Sequence, residues 1–367
     1  MQRDVAVLGA TIAGLTTARR LASHGFDVVV LDPGPEGDSA AIGHGVASVG
    51  HVSDVASIAT RYGDTAATKY VRRTVTGFQE ISQVLAAGDV PHQAMPLHDR
   101  SLGESVAARL EPWLALIRSA GADARMLTKH ERGSAGPGVV SDALVVDPKE
   151  YAHSLAQQVR KAGAEILQDV TITHLVRRDG VSLVAYRENV AWARRLATVR
   201  ATAVVDTIGV SPWGRLAAVN RPRVVPLLWF RPAQQLEVVR VEPGSPVWLA
   251  RPFGDDAVAY GTEVAAGKQA QVLDEMSGWV AAQGGEVVGK DVLTVDPSDS
   301  GRPICGASAI PGGFYARGNG HAELVNGTAC GCHLAELLLG RRAANAALPW
   351  RARARARVRN RLRSRHR

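Results

Sequence analysis

The chain has 367 residues, 46% of them hydrophobic, which is enough to bury a large core in two domains. Its three cysteines, Cys305, Cys330 and Cys332, are odd in number and clustered late, which argues against a disulfide framework. The net charge of +8 is a poor guide to partners: eleven of the 43 Lys and Arg residues lie in 341–367, which holds no acid, so residues 1–340 carry 32 basic against 35 acidic side chains, a net −3.

Val5–Leu8 is an apolar run of the kind found in parallel strands buried on both faces. Gly9 then opens a tight turn, with Gly14 five residues on. Apolar positions recur at helical spacing from Ile12 to His24, Gly25 caps the end, and Phe26–Leu31 forms a second buried strand that stops at Asp32. In such a strand–turn–helix–strand the turn aims backbone N–H groups and a helix N-terminus at a pyrophosphate. An acid at the tip of the second strand accepts hydrogen bonds from ribose hydroxyls. Gly9, Ala10, Thr11, Ile12, Ala13 and Gly14 are therefore candidate dinucleotide contacts, with Asp32 on the ribose. Thr11 stands where the G-x-G-x-x-G pattern has its middle glycine. Its branched Cβ meets the path of the approaching pyrophosphate, while its hydroxyl offers a phosphate hydrogen bond. Nothing basic follows Asp32 to receive a 2′-phosphate, which excludes NADP.

A Gly/Ser/Ala-rich loop with short extended pieces follows over 33–54, then a helical pattern over 54–87 and another over 104–119. "RGSAGPG" (132–138) is a loop. A short strand leads to Asp147 as a helix cap with Pro148 at the first helical position, an amphipathic helix 149–162, Gly163 as its stop, and two strands. "ATAVVDTIG" (201–209) reads as another buried strand. Residues 222–262 are strand-rich and aromatic, with Asp255 and Asp256 in a hairpin turn and Trp229, Trp248 and Tyr260 as core. "GRPICG" leads into a strand, a Gly-rich loop and a closing helix. The end of the chain (346–367) has arginine at every second position over much of its length, which gives neither a helix nor a strand an apolar face. It reads as a disordered arm suited to an anionic surface, and without an aromatic platform it is no specific nucleic-acid site. No apolar run approaches a membrane helix and no charged-then-apolar leader precedes Val5, so a cytoplasmic protein is expected.

The N-terminal fingerprint, "SAAIGHG", "VVDPKEYAHSLAQQVRKAGAEI", "AVVDTIG", "GRPICG" and "GNGHAELVNGTACGCHLAEL", in that order, resemble the D-amino-acid oxidase/glycine oxidase family of FAD-dependent oxidoreductases. The resemblance spans nearly the whole chain. It implies an α/β fold with a Rossmann-like, glutathione-reductase-type FAD-binding domain from 1–75, 145–215 and 290–345. An inserted antiparallel-sheet α+β substrate domain would come from 76–144 and 216–289. It further implies FAD as cofactor, Ser39 as a phosphate contact, Gly209 beside the dinucleotide, and Gly318, Asn319, Gly320, Leu324 and Val325 beside the isoalloxazine. His44 lies in the loop where some relatives attach FAD covalently, although its spacing from Ser39 differs from theirs.

The departures bear on chemistry. The closing motif begins Gly318-Asn319-Gly320 where the family has Gly-His-Gly, and Glu323 replaces a glycine. "LTVDPSDSGRP" lacks the family's carboxylate-gripping arginine, and His321 stands where glycine oxidase has a second one. Arg251 and Arg231 are the candidate substitutes, so His321, Glu323 and Arg251 are the candidate catalytic residues. Cys330, Cys332, His333 and His321 do not form a zinc site, because helix positions i, i+2 and i+3 do not converge. The expected activity is oxidation of a C–N bond in an amine or N-substituted amino acid, with flavin N5 accepting the hydride and oxygen or another carrier reoxidising it. The alternatives are an FAD monooxygenase and a flavoprotein that keeps the fold without catalysis.

Overall fold

The computed structural model describes residues 1–35, 43–49, 52–100, 110–119, 121–128, 131, 138–190, 193–209, 223–242, 247–295, 298 and 302–340. Ser39, the start of the 104–119 segment and the arginine-rich end lie outside them. In chain order the elements are β1 (Gln2–Leu8), α1 (Ile12–Ser23), β2 (Val28–Leu31), β3 (Val46–Ser48), α2 (Val52–Tyr62), α3 (Asp64–Gly88), β4 (His92–Asp99), α4 (Glu111–Ser119), β5 (Ala124–Met126), β6 (Val139–Val146), α5 (Pro148–Lys161), β7 (Glu165–Leu167), β8 (Val170–Arg178), β9 (Val181–Val190), β10 (Ala193–Asp206), β11 (Arg223–Arg231), β12 (Val239–Glu242), β13 (Trp248–Phe253), β14 (Asp256–Gly261), α6 (Gln269–Ala282), β15 (Glu286–Val295), β16 (Ile304–Ala307), β17 (Gly313–Arg317) and α7 (Glu323–Leu339).

The first sheet runs β16-β17-β10-β1-β2-β7, parallel from β17 to β7, with β16 antiparallel at one edge. Its two faces explain the apolar run of β1. Val5 and Val7 pack with α1, α5 and α7, whereas Ala6 and Leu8 pack with Leu175, Val184, Tyr186 and Val199 of a β8–β9–β10 meander on the other side. α1 and α7 approach closely because small residues line their seam: a Cβ on Gly331 would lie 2.7 Å from the Ala13 carbonyl oxygen. Buried Glu80 of α3 adds ion pairs to Arg19 and Arg20 of α1, the latter at 2.6 Å.

The second sheet runs β15-β11-β14-β13-β12-β4-β6-β3 and is antiparallel apart from β12–β4. α6 covers one face through Leu228, Phe230, Trp248, Ala250 and Met276. The other face carries Leu249, Val258 and Tyr260 together with Val46.

The structure departs from the sequence expectations in two places and adds pairings that the sequence left unread. The 54–87 helix is two helices, α2 and α3, because Gly63 adopts φ +81 and starts the second one. The 201–209 strand begins at Ala193 and ends at Asp206; its first half pairs antiparallel with β9 and its second half parallel with β1. β8 and β9 are joined by Asp179-Gly180, both at positive φ, a D-G hairpin signal. β3 pairs with β6 in the second sheet, and β15 stays paired with β11 to Val295.

Candidate functional site

At the C-terminal edge of the parallel sheet, Gly9 stands at φ +97, and a Cβ there would lie 2.4 Å from Ile208 Cγ2. A Cβ on Gly14 would lie 2.2 Å from the Gly9 carbonyl oxygen, so the turn folds this tightly only with glycine at both positions. Thr11 has no such need. It sits at φ −67, ψ 166, open to any residue, and its Oγ1 accepts the Gly14 N–H at 3.1 Å as the N-cap of α1. The threonine thus completes the helix start instead of obstructing it, and its hydroxyl hydrogen remains a donor. Asp32 is 0% exposed, and its Oδ1 accepts the Ala10 N–H at 3.0 Å, which ties the turn to the end of β2. Ile12 and Ala13 place their side chains in the core, as do Leu324 and Val325 of α7, so these four offer a ligand only backbone.

The same edge is built further by β10 and β17. Asp206 Oδ1 accepts the N–H groups of Ile208 and Gly209, and the Arg317 guanidinium fills the space a Gly209 side chain would take. Gly318 (φ +73) and Gly320 (φ +63) curve the loop into α7, while Asn319 turns its Oδ1 inward to Cys330 Sγ at 3.6 Å. A tight glycine turn, two helix N-termini converging from α1 and α7, and an acid at the tip of β2 together suit a dinucleotide pyrophosphate and ribose. The residues present fit FAD.

A second group of side chains collects where the two sheets meet. Gly43 at φ +111 brings the 43–45 loop against the His321 carbonyl and the Glu323 Cβ. This puts the His44 ring 5.6 Å from that of His321 and edge-on to Tyr260 at 6.1 Å between centroids. Val46 N–H donates to His44 Nδ1 at 3.0 Å, which leaves the proton of the neutral ring on Nε2. Glu263, just beyond β14, accepts both the His321 backbone N–H (2.9 Å) and its Nδ1–H (2.6 Å) through one oxygen. Burial pushes the Glu263 carboxyl up, but the charge and hydrogen bonds of His321 outweigh it and hold the group at about 2.

Arg251 shares the inward face of β13 with Leu249. It is 3% exposed and makes no ion pair among the described residues. Its Nη1 donates to the Pro252 carbonyl at 3.1 Å and its Nη2 to Tyr260 Oη at 3.2 Å. Its Cζ also lies 5.6 Å from the Phe253 ring centroid and 5.7 Å from that of Tyr260, so the buried cation meets neutral oxygens and aromatic rings, and an incoming anion would offset the remaining cost of burial.

The structure brings His321 and Arg251 to one seam and separates the other candidates. The Glu323 carboxylate runs back along α7 to lie over Gly327 beside Ile12, on the dinucleotide side. Arg231 is 62% exposed in its side chain and pairs with Asp256 and Glu286, each at 3.4 Å, so it is no carboxylate clamp. Glu263 was not among the residues singled out from sequence, and only its "GTE" position after a strand marked it. Tyr260, read as core, bonds to Arg251 and edges His44.

Residues 4–337 match the model of the family described as FAD dependent oxidoreductase (DAO). The chain belongs to that family. Among solved structures the chain is similar to L-amino acid deaminase from Proteus vulgaris (TM-score 0.70, 18% identity, covering 92% of this chain and 90% of that one). It is also similar to glycine oxidase from Geobacillus kaustophilus (0.69, 17%, 95% and 97%) and iminodiacetate oxidase from Chelativorans sp. BNC1 (0.65, 19%, 94% and 97%). At these identities the likeness is one of fold. No curated protein sequence matches the chain. Its cofactor is FAD, and no helix among the described residues is long and apolar enough to cross a membrane.

Proposed function

We propose that this FAD-dependent oxidoreductase oxidises the C–N bond of an N-substituted amino acid, a substrate that joins an amine to a carboxylate. The observation that carries the reading is Arg251, buried without an acidic partner among the described residues, with Tyr260 between it and His44 and with His321 next to His44. With no arginine in the segment before "GRP", Arg251 and Arg231 are the candidates for a carboxylate grip, and the burial of Arg251 on β13 favours Arg251. The solved relatives support the class: glycine, L-amino acids and iminodiacetate all join nitrogen to carboxylate.

FAD, when bound, supplies the acceptor for the hydride removed from carbon. Arg251 and Tyr260 Oη orient the carboxylate. Glu263 accepts the His321 Nδ1–H, which fixes the ring in the seam and favours its charged form. The inward face of the second sheet, through Leu249, Val258 and Tyr260, keeps water out. Gly9–Gly14, Asp32, Gly209 and Gly318–Gly320 would hold the dinucleotide.

The test is anaerobic flavin bleaching by N-alkyl amino acids set against the same amines without the carboxylate. Bleaching should favour the acids by about a hundredfold, near 2.8 kcal/mol. Equal rates would overturn the carboxylate assignment, and a bound flavin that stays oxidised with every compound would select the non-catalytic alternative.

A further inference from the structure

Behind the loop that leads into α7 lie two thiols that the chemistry above does not use. Cys305 is half-buried on β16, in register with Ala316 of β17, and Cys330 is 1% exposed on α7. Cys305 packs against the buried cluster that holds Cys330, and the two sulfurs are within interaction range of each other. Arg73 of α3 sets its Nη1 4.0 Å from Cys305 Sγ, and Cys330 Sγ in turn contacts Asn319 Oδ1 at 3.6 Å. A sulfur beside a guanidinium, within reach of a second thiol, has the setting of an attacking cysteine and its resolving partner.

We propose that Cys305 and Cys330 are a redox pair that closes to a disulfide under peroxide and reopens with a dithiol, and that closure loosens the 318–320 loop. The Cys305 thiolate attacks one peroxide oxygen. The O–O bond breaks, water leaves after protonation, and a sulfenic acid forms. Cys330 sulfur then attacks that sulfur, the S–O bond breaks, the S–S bond forms and a second water leaves. The two electrons pass from the thiols to the peroxide. A dithiol reductant reverses this by exchange and is itself oxidised to a disulfide. Cys305 is the more exposed of the two and stands beside the Arg73 guanidinium, whereas Cys330 is buried, which assigns the first attack to Cys305. Closure ends the contact between the Cys330 thiol and Asn319 Oδ1, one of two that tie the loop to α7, and leaves Asn326 Nδ2 donating to the Asn319 carbonyl at 3.1 Å.

Cys332 is the built-in control. It lies near Arg20 and Glu80, and burial pushes its thiol up to about 12, so it remains a thiol.

The experiment treats the full chain with hydrogen peroxide, counts thiols after denaturation and maps peptides without reduction. The count should fall from three to one, with a 305–330 link, and return to three with dithiothreitol. Cys332→Ser should keep the link, which settles which of the neighbouring cysteines carries it, while Cys330→Ser should lose it. A link through Cys332, a link between chains, or oxidation beyond sulfenic acid without any link would overturn the pair. Amide hydrogen exchange at 318–320 should be faster in the oxidised form. Exchange identical in the two forms would overturn the coupling to the loop. Neither readout depends on FAD or on a substrate.

Discussion

Replacing Arg251 by methionine separates a substrate clamp from a structural arginine. In the native chain the guanidinium has two hydrogen-bond partners among the described residues, the Pro252 carbonyl and Tyr260 Oη, both neutral. Hydrogen bonds from a charged donor contribute about 1.5–3 kcal/mol each, so the variant forfeits several kcal/mol. Against that, methionine fills a similar volume and removes a buried cation whose dehydration costs several kcal/mol. The two effects nearly cancel, so the apo protein should change stability by less than about 2 kcal/mol, a shift of a few degrees in Tm. An arginine holding a buried ion pair would instead cost about 3–5 kcal/mol. Function should respond more strongly. Losing a buried charge partner costs about 2–5 kcal/mol in binding, so kcat/KM for carboxylate-bearing substrates should fall by roughly 30- to 5,000-fold. The matching amines without a carboxylate should keep their rates. Thermal melts of the apo protein and stopped-flow bleaching of the flavin give both numbers. A destabilisation above about 4 kcal/mol, or an equal loss on both substrate kinds, would refute the argument.

Thr11→Ala removes the cap on Gly14 N–H and should lower stability by about 1 kcal/mol in a urea melt, whereas Thr11→Gly should cost only a few tenths. Thr11→Gly should also bind FAD at least as tightly as the parent in a fluorescence titration; weaker binding would mean that the hydroxyl contacts phosphate. Glu80→Gln should cost about 3 kcal/mol in the same melt, because two arginines of α1 lose their shared carboxylate, and no loss would show that water already satisfies them. Glu263 drops from the ordinary 4.5 to about 2 on folding, so its contribution of about 3 kcal/mol is complete above pH ~4.5 and disappears as pH falls toward ~2. Glu263→Gln should flatten that part of the stability–pH curve, and an unchanged curve would sink the assignment.

What the sequence disclosed follows the range over which each interaction acts. β1, the Gly9 turn, α1 and the Asp147-Pro148 start of α5 depend on neighbours within a few residues, and each was readable. Thr11 shows a limit of motif reading. The missing glycine drew attention, yet the backbone there needs no glycine, while Gly9 at φ +97 does. The substrate side depends on contacts that local pattern does not encode. Glu263 and His321 are 58 positions apart and meet through one hydrogen-bonded oxygen. Arg231 and Arg251 are alike in sequence, each followed by proline, but β11 ends at Arg231 in solvent while the pairing of β13 with β14 sets Arg251 beside Tyr260. In an antiparallel sheet a one-residue slip in register moves a side chain to the opposite face. Whether Arg251 faces the seam is therefore decided by how the whole β12–β13–β14 set pairs, and so is the difference between an amine pocket and a carboxylate pocket.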